Sequence, residues 1–212
     1  MLQSKTDFSV EHSITNTQLL PTMLFTTIWI AFGFTIGVVY ASFFEWTLHK
    51  YFMHRPVGKF DYAFKAHALV HHGTFGFDRT YHLINEKDKK TIPMAWWNGP
   101  LLIILSQLPF AIACASIGHH WIMVGSVLSV GAYYGVYEYL HWCMHLPKKR
   151  KIERSGIFFR LNGHHLLHHR YPHRNFNVVL PLADLCFGTL LTRSPRSFNQ
   201  PVGAMIPDVQ PK

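Results

Sequence analysis

The sequence has 212 residues, enough for one domain of ordinary size, and 49% of the residues are hydrophobic whereas only 15% are charged. This composition is too apolar for a typical soluble protein and indicates a membrane protein. The net charge of +9 does not indicate a nucleic-acid partner, because the basic residues border the apolar segments and form no recognised nucleic-acid-binding motif. Insertion topology and anionic lipid headgroups explain them better.

The first apolar segment lies near the N-terminus. No charged residue occurs between Glu11 and Glu45, and residues 22–44 are almost wholly apolar. A bilayer-crossing helix needs about 20 such residues, so we predict a first membrane span over 22–44. The segment is too long and begins too late for a secretory signal peptide. Its Gly33 and Gly37 form a GxxxG pair, which permits close approach of another helix.

The second apolar segment is long enough for two crossings. It runs without a charge from Thr91 to Tyr137, and we predict spans over 94–116 and 121–140. Between them, residues 118–120 (Gly-His-His) provide the polar break expected of a turn. Two prolines are expected to bend the second span: Pro100 and Pro109.

The distribution of basic residues predicts the orientation of these spans. Lysine and arginine concentrate between the first and second spans and after the third, whereas the N-terminal region has only Lys5, balanced by Asp7 and Glu11. Basic residues near span ends are retained on the cytoplasmic side. The N-terminus and the turn at 118–120 are therefore expected to face outward, and the remaining loops inward.

Histidines are concentrated beside the predicted spans. Eleven of the 16 histidines fall in four short stretches, HKYFMH (49–54), HALVHH (67–72), HWCMH (141–145) and HHLLHH (164–169). In the predicted topology all four stretches lie on the cytoplasmic face. So many imidazoles at one membrane surface indicate a metal centre, although a single histidine is more often structural.

The spacing within each stretch predicts which histidines act together. Residues three or four apart share one face of an α-helix, which predicts three chelating sets: His67 with His71, His141 with His145, and His165 with His168 and His169. His49 and His54 are five apart and would lie on different sides of a straight helix. Either the helix unwinds towards Pro56, or these two residues bind different metals.

The ligand type restricts the metal. Imidazole suits zinc, copper, iron and nickel, and about ten imidazoles exceed the four of a closed zinc site, so two ions are expected. A neutral, all-nitrogen ligand set leaves the positive charge of the metals uncancelled, which favours a strongly oxidising centre. Three scattered cysteines, Cys114, Cys143 and Cys186, form neither a disulfide framework nor a thiolate site.

The order and spacing of these motifs resemble the fatty acid hydroxylase and sterol desaturase superfamily, membrane enzymes that bind two irons through histidine boxes. The resemblance covers about 45–191 and rests on EWTLHKYFMH, HALVHHGTFGFD, EYLHWCMH, HLLHH and NFNVVLPLADLCFGTLL. It implies ten iron ligands: His49, His54, His67, His71, His72, His141, His145, His165, His168 and His169. Glu45 and Glu138 are expected to accept a ligand N–H and fix its tautomer.

Two departures from the family pattern leave ligands open. The second box has three residues before its His-His pair where many members have two, which makes the role of His67 less secure. The fourth box contains an additional His164, so either His164 or His165 is the ligand, with His165 favoured by the family spacing. His82 and His173 lie on the expected face and are assigned to supporting or surface positions.

The expected architecture is an all-α integral membrane protein with about three transmembrane helices and a cytoplasmic helical cap that carries the di-metal site. A polar tail (1–20) precedes a hydroxylase-like membrane domain (21–191), and an extended or disordered tail (192–212) follows. No electron-transfer module is recognised, so electrons are expected from a separate protein.

The resemblance implies oxygen-dependent hydroxylation of a lipid, with a fatty acyl chain favoured. Sterol or carotenoid substrates and desaturation remain alternatives within the superfamily. A membrane metal transporter is the alternative from another class, but it requires ligands near the bilayer midplane, whereas these histidines lie at the ends of the spans.

Overall fold

The structure, a computed structural model, describes residues 4–192, with side chains described from Leu20 onward. All regular elements in this range are helical, and the remaining pairing is one isolated bridge between Val57 and Phe60. The predicted all-helical class is therefore confirmed for the described range. Nearly all of the predicted C-terminal tail lies outside it.

The helical elements follow one another along the chain with short connections. They are α1 (Ser4–Leu48), a π-helix (His49–Met53), the short α2 (Tyr62–Phe64), a second π-helix (Lys65–His71), the short α3 (His72–Thr74), 3₁₀ turns (Arg79–Tyr81 and Glu86–Thr91), α4 (Asn98–Ser106), α5 (Leu108–Ile117), α6 (Trp121–His145), a 3₁₀ turn (Ile152–Arg154), α7 (Gly156–Arg170) and α8 (Leu182–Cys186).

Two helical segments are long and apolar enough to cross a membrane, Leu20–Met53 and Asn98–Ile117. Most of both segments is left unburied by the rest of the protein, as expected for helices that face lipid. They match the first two predicted spans. The third predicted span, 121–140, lies within α6, which forms as a helix but is less apolar because glycine, serine and tyrosine interrupt its aliphatic residues. Its crossing of the membrane stays a prediction.

Helix α6 is the central helix, and α1 packs closely along it. A Cβ atom on Gly33 would lie 2.1 Å from the carbonyl oxygen of Ile122, and one on Gly37 would lie 2.0 Å from Oγ of Ser129. The GxxxG pair in α1 is therefore used for packing within the chain. The C-terminal half of α6 is predicted to lie nearer the cytoplasm. It contributes Tyr137 and Met144 to the largest apolar core of the described residues.

The second predicted span is broken rather than bent. Helix α4 ends at Ser106 and α5 begins at Leu108, so that Pro109 occupies the first turn of a new helix, where its missing N–H is tolerated. Pro100 also lies in a first turn, that of α4, and the expectation that it bends the span is wrong. The buried Gln107 at the break accepts a hydrogen bond from Ser126 Oγ (2.7 Å).

The turn between the second and third predicted spans is confirmed. Helix α5 ends at Ile117, α6 begins at Trp121, and Gly118 has a φ of +79°. This left-handed conformation strongly favours glycine. The hairpin returns the chain to the end of the molecule where α1 also ends, and the histidines meet there.

Candidate metal centre

The structure brings the ten predicted ligand histidines together, although they come from four separate stretches of the chain. Nine of them form two groups in which the potential donor nitrogens lie within 4.8 Å of one another. The first cluster comprises His49, His54, His67, His72 and His168. The second cluster comprises His71, His145, His165 and His169. The tenth histidine, His141, borders the second cluster with its Nε2 atom 3.2 Å from Nε2 of His71.

Two π-helical turns explain how histidines five residues apart join one cluster. In each turn the backbone N–H of a histidine donates to the carbonyl of the histidine five positions earlier, from His54 to His49 and from His72 to His67. A π-helical turn is wider than an α-helical turn, so positions i and i+5 become neighbours. The helix thus widens into a π turn instead of unwinding towards Pro56, and His49 and His54 fall in one cluster. That they bind the same metal stays a prediction.

The predicted chelating sets are partly wrong. His67 and His71 belong to different clusters, with their ring centroids 5.2 Å apart at the boundary. In α7, His165 and His169 face the second cluster, whereas His168 faces the first. Helix α7 lies between the clusters, and successive positions on an α-helix project about 100° apart, so adjacent histidines are divided between two sites.

In the second cluster, backbone carbonyls determine which ring nitrogen carries the proton in three imidazoles. Nδ1 of His71 donates to the carbonyl of Thr91 (3.1 Å), Nδ1 of His145 to Tyr81 (2.7 Å), and Nδ1 of His169 to Phe75 (2.6 Å). A carbonyl only accepts, so each Nδ1 is protonated and each neutral ring presents the lone pair of Nε2 to the cluster. This is the arrangement that a metal-ligating histidine requires.

His165 lies between two of these lone pairs. Its Nε2 atom is 3.2 Å from Nε2 of His145 and 3.1 Å from Nε2 of His169. One ring N–H provides a single proton for two acceptors, and Nδ1 of His165 is buried without a hydrogen-bond partner in the part of the chain that the structure describes. A cation among the three Nε2 atoms would accept the lone pair of each and remove this conflict.

The first cluster shows the same pattern. Nδ1 of His49 donates to the carbonyl of Phe176, and Nδ1 of His168 donates to the carbonyl of Arg174 (2.7 Å). Nε2 of His67 lies 2.8 Å from Nε2 of His49 and 3.1 Å from Nε2 of His72. Both clusters therefore consist of imidazoles that direct Nε2 inward.

The nitrogen spacing fits a transition metal. At a metal–nitrogen distance of about 2.0–2.1 Å, two ligand nitrogens at roughly right angles are about 3 Å apart. The closest Nε2 pairs in the clusters are 2.8–3.2 Å apart.

The ring protonation also suits metal binding. Burial lowers the pKa of His71 and of His54 to about 4, so both rings are neutral at pH 7, as ligation requires.

His164 lies outside both clusters. Its Nε2 atom is 3.1 Å from Oδ2 of the buried Asp184, so of the two adjacent histidines in the fourth box it is His165 that joins a cluster. His82, half-buried, and His173, exposed, also lie outside the clusters.

The two carboxylates expected to support ligand histidines have other partners. Glu45 accepts hydrogen bonds from Tyr133 Oη (2.6 Å), the Val178 N–H (2.7 Å) and Asn177 Nδ2 (2.9 Å). Glu138 accepts from the Met94 N–H at 3.2 Å. Backbone carbonyls take the role expected of these side chains, and a carbonyl leaves no residue-type signal in a sequence.

An apolar cavity of about 600 Å³ opens onto the histidines. His67, His71 and His141 form part of its wall, and most of the remaining lining is apolar and comes from α1, α4 and the segments between them. A smaller adjoining cavity of about 70 Å³ shares Phe44, Leu102 and other lining residues with it and extends between α1, α4 and α6. The space beside the histidine nitrogens is thus mostly apolar, and it adjoins a second apolar cavity within the helix bundle.

Comparison with known proteins identifies a relative. The chain is 23% identical to fatty acid 2-hydroxylase of Mus musculus over 164 residues, which cover 74% of this chain and 39% of the mouse protein. The resemblance to the fatty acid hydroxylase and sterol desaturase superfamily is confirmed. No family model matches the chain, and no solved structure matches it.

The four histidine stretches that fit the histidine boxes of the superfamily lie on four structural elements of this chain. They are the π-helical end of α1, the second π-helix with α3, the last turns of α6 and the second half of α7. The chain spans well under half the length of the mouse relative. The two candidate membrane helices and this relationship together support a location in a membrane.

Proposed function

We propose that this protein is a membrane-bound oxidoreductase that hydroxylates a lipid at a pair of histidine-bound iron ions, with dioxygen as co-substrate. The observation that carries the proposal is the pair of adjacent, buried imidazole clusters beside an apolar cavity. A closed structural zinc site needs four ligands, whereas ten imidazoles in two clusters suit two ions that retain open coordination positions.

The proposed ligands are the nine histidines of the two clusters together with His141. Backbone carbonyls keep the Nδ1 proton in place on five of these rings, so that each of the five offers Nε2 without first releasing a proton. They are His49, His71, His145, His168 and His169. Iron bound there would supply the activation of dioxygen. The chain supplies the positions of the ligands, the exclusion of water and the alignment of the substrate.

The substrate that we favour is a fatty acyl chain. The cavity is lined by Phe44, Leu48, Leu101 and Leu102 among other apolar residues. A smaller apolar cavity adjoins it between α1, α4 and α6, and this lining suits a long apolar group. The mouse relative is named as a fatty acid 2-hydroxylase, which supports this choice. The alternatives are a sterol or carotenoid substrate, or desaturation in place of hydroxylation, and analysis of the products distinguishes them.

The overall reaction requires a supply of electrons. Hydroxylation converts R–H and O₂ to R–OH and water and consumes two electrons and two protons. We propose that a separate protein donates these electrons at the cytoplasmic face, where the exposed Lys148 and Lys149 follow α6. Substitution of the basic residues 148–151 by glutamine is expected to raise the KM for the donor and to leave a chemically reduced single turnover unchanged.

The proposal is tested with purified protein in lipid nanodiscs. Metal analysis is expected to give two irons per chain, and reduced protein supplied with acyl lipids and ¹⁸O₂ is expected to add one labelled oxygen to the chain. The His165→Ala variant should lose iron and activity, while His173→Ala, a change at an exposed histidine, should keep both. Metal uptake into vesicles without oxygen consumption would instead identify a transporter.

A further inference from the structure

Two separate segments of the chain orient the two histidine clusters. The carbonyls that hold the second cluster belong to Phe75, Tyr81 and Thr91. Those that hold the first cluster belong to Arg174 and Phe176, in the segment that follows α7. The backbone of residues 174–178 therefore determines how His49 and His168 present Nε2 to the first cluster.

A single buried carboxylate fixes this segment. Asp184, at the start of α8, is 0% exposed, and its Oδ1 accepts hydrogen bonds from the Phe176 N–H (2.9 Å) and from Thr189 Oγ1 (2.6 Å). Its Oδ2 accepts from the Asn177 N–H (2.8 Å) and lies 3.1 Å from Nε2 of His164. Asp184 thus binds the amide on either side of the Phe176 carbonyl that orients His49.

The same segment is tied to the end of α1, which carries His49. Asn177 accepts from the Asp184 N–H (3.1 Å) and donates through Nδ2 to Glu45 Oε2 (2.9 Å). Trp46 Nε1 donates to Thr189 Oγ1 at 2.9 Å. These bonds are all buried, so a displaced partner would leave polar groups unsatisfied in an apolar environment.

We propose that Asp184 is the positioning residue of the first metal site: it holds the backbone whose carbonyls orient His49 and His168, and it has no such role at the second site. This inference rests on the two-metal centre proposed above. It goes beyond that centre by assigning the affinity of one of the two ions to a carboxylate that does not touch a metal.

The Asp184→Asn substitution tests this role with little change in volume. An aspartate offers two oxygens to four partners, whereas an asparagine offers one oxygen and one NH₂ group. Whichever oxygen is replaced, the NH₂ group faces a backbone N–H, that of Phe176 or that of Asn177, so at least one bond to the segment is lost and the segment must shift. Loss of a group that orients a metal ligand typically lowers metal affinity by about 10–100-fold.

The experiment measures metal content and affinity rather than activity. Metal-free wild type and variants in nanodiscs are titrated with Fe(II) without oxygen, and the ions bound per chain are counted. Wild type is expected to bind two ions. Asp184→Asn is expected to bind one ion with wild-type affinity and the other about 10–100-fold more weakly. Glu86→Gln, which alters an exposed carboxylate, is the matched control and should bind two.

Double variants identify which ion is weakened. Combining Asp184→Asn with His49→Ala, both directed at the first site, is expected to leave one tightly bound ion. Combining it with His145→Ala, which removes a proposed ligand of the second site, is expected to leave no tightly bound ion. Two tight ions in Asp184→Asn, or equal weakening of both, would overturn the role of Asp184. Failure of wild type to bind two ions would instead contradict the proposed function.

Circular dichroism separates local from global effects. Asp184→Asn is expected to keep the helical content of the wild type and the ion at the second site. A variant that loses its helical content and both ions would show that Asp184 stabilises the whole fold instead of orienting one site, and would contradict the inference.

Discussion

Gly33 of α1 and Gly125 of α6 contact each other at a helix crossing that has no room for a methyl group. A Cβ on Gly125 would lie 2.1 Å from the carbonyl oxygen of Ile30 and 3.0 Å from the backbone of Gly33. The atoms that it would meet belong to the backbone and cannot rotate away. This contact holds together the two helices whose ends carry His49 and His141.

Gly33→Ala is therefore expected to destabilise the protein by about 1–3 kcal/mol, the usual cost of overpacking. Thermal unfolding in detergent, followed by circular dichroism, measures the change. Gly135→Ala on α6 is the control, because a Cβ there meets nothing within 4 Å. If Gly33→Ala altered the oligomeric state and left the stability unchanged, the glycine pair would serve association between chains instead.

Glu138→Gln is expected to retain both metal ions. Its carboxylate accepts the Met94 N–H and does not accept from Nδ1 of His141, which has no hydrogen-bond partner among the described residues. A glutamine oxygen can still accept that bond, so metal content should equal that of the wild type within error. Loss of iron from Glu138→Gln would show that this carboxylate supports a ligand histidine after all.

Leu102→Trp is expected to shift the substrate preference towards shorter chains. Leu102 lines both the large cavity and the smaller one that adjoins it, so an indole there reduces the space where the two meet. The measurement is kcat/KM for acyl substrates of increasing length. Ile104→Trp adds the same side chain on the same helix at a position that is 68% exposed, and should leave the preference unchanged.

Acid is expected to destabilise the metal-free protein. The pKa values of His54 and His71 are lowered to about 4 in the fold, from an ordinary value of 6.5, chiefly by burial. Between these values the unfolded chain binds more protons than the folded chain, so stability is lost as pH falls from about 6.5 towards 4. The melting temperature of metal-free protein should fall from pH 7.5 to pH 5. An unchanged value would contradict the burial of neutral imidazoles.

The histidine boxes show which features of this protein can be predicted from residue types and their spacing. Ligand candidates, a candidate metal centre and a helical membrane class follow from the sequence because imidazoles and long apolar runs are rare and chemically specific. The turn at Gly118 was predictable for a similar reason, since few residues other than glycine readily adopt its positive φ. Each of these features depends on side-chain chemistry that can be read one segment at a time.

The division into two sites was decided by the tertiary structure. The chelating sets were predicted from the three- and four-residue spacing of an α-helix. In the structure, π-helical turns bring His49 and His54 into one cluster and place His67 and His71 in different clusters. The groups that fix the tautomers are mainly backbone carbonyls, which every residue possesses and which become specific only when the fold brings them within about 3 Å of a ring. The sequence by itself determined which nitrogen atoms are candidates for binding metal. Only the packing of the helices and of the segment held by Asp184 decided which atoms meet, because that depends on contacts between residues more than 100 positions apart.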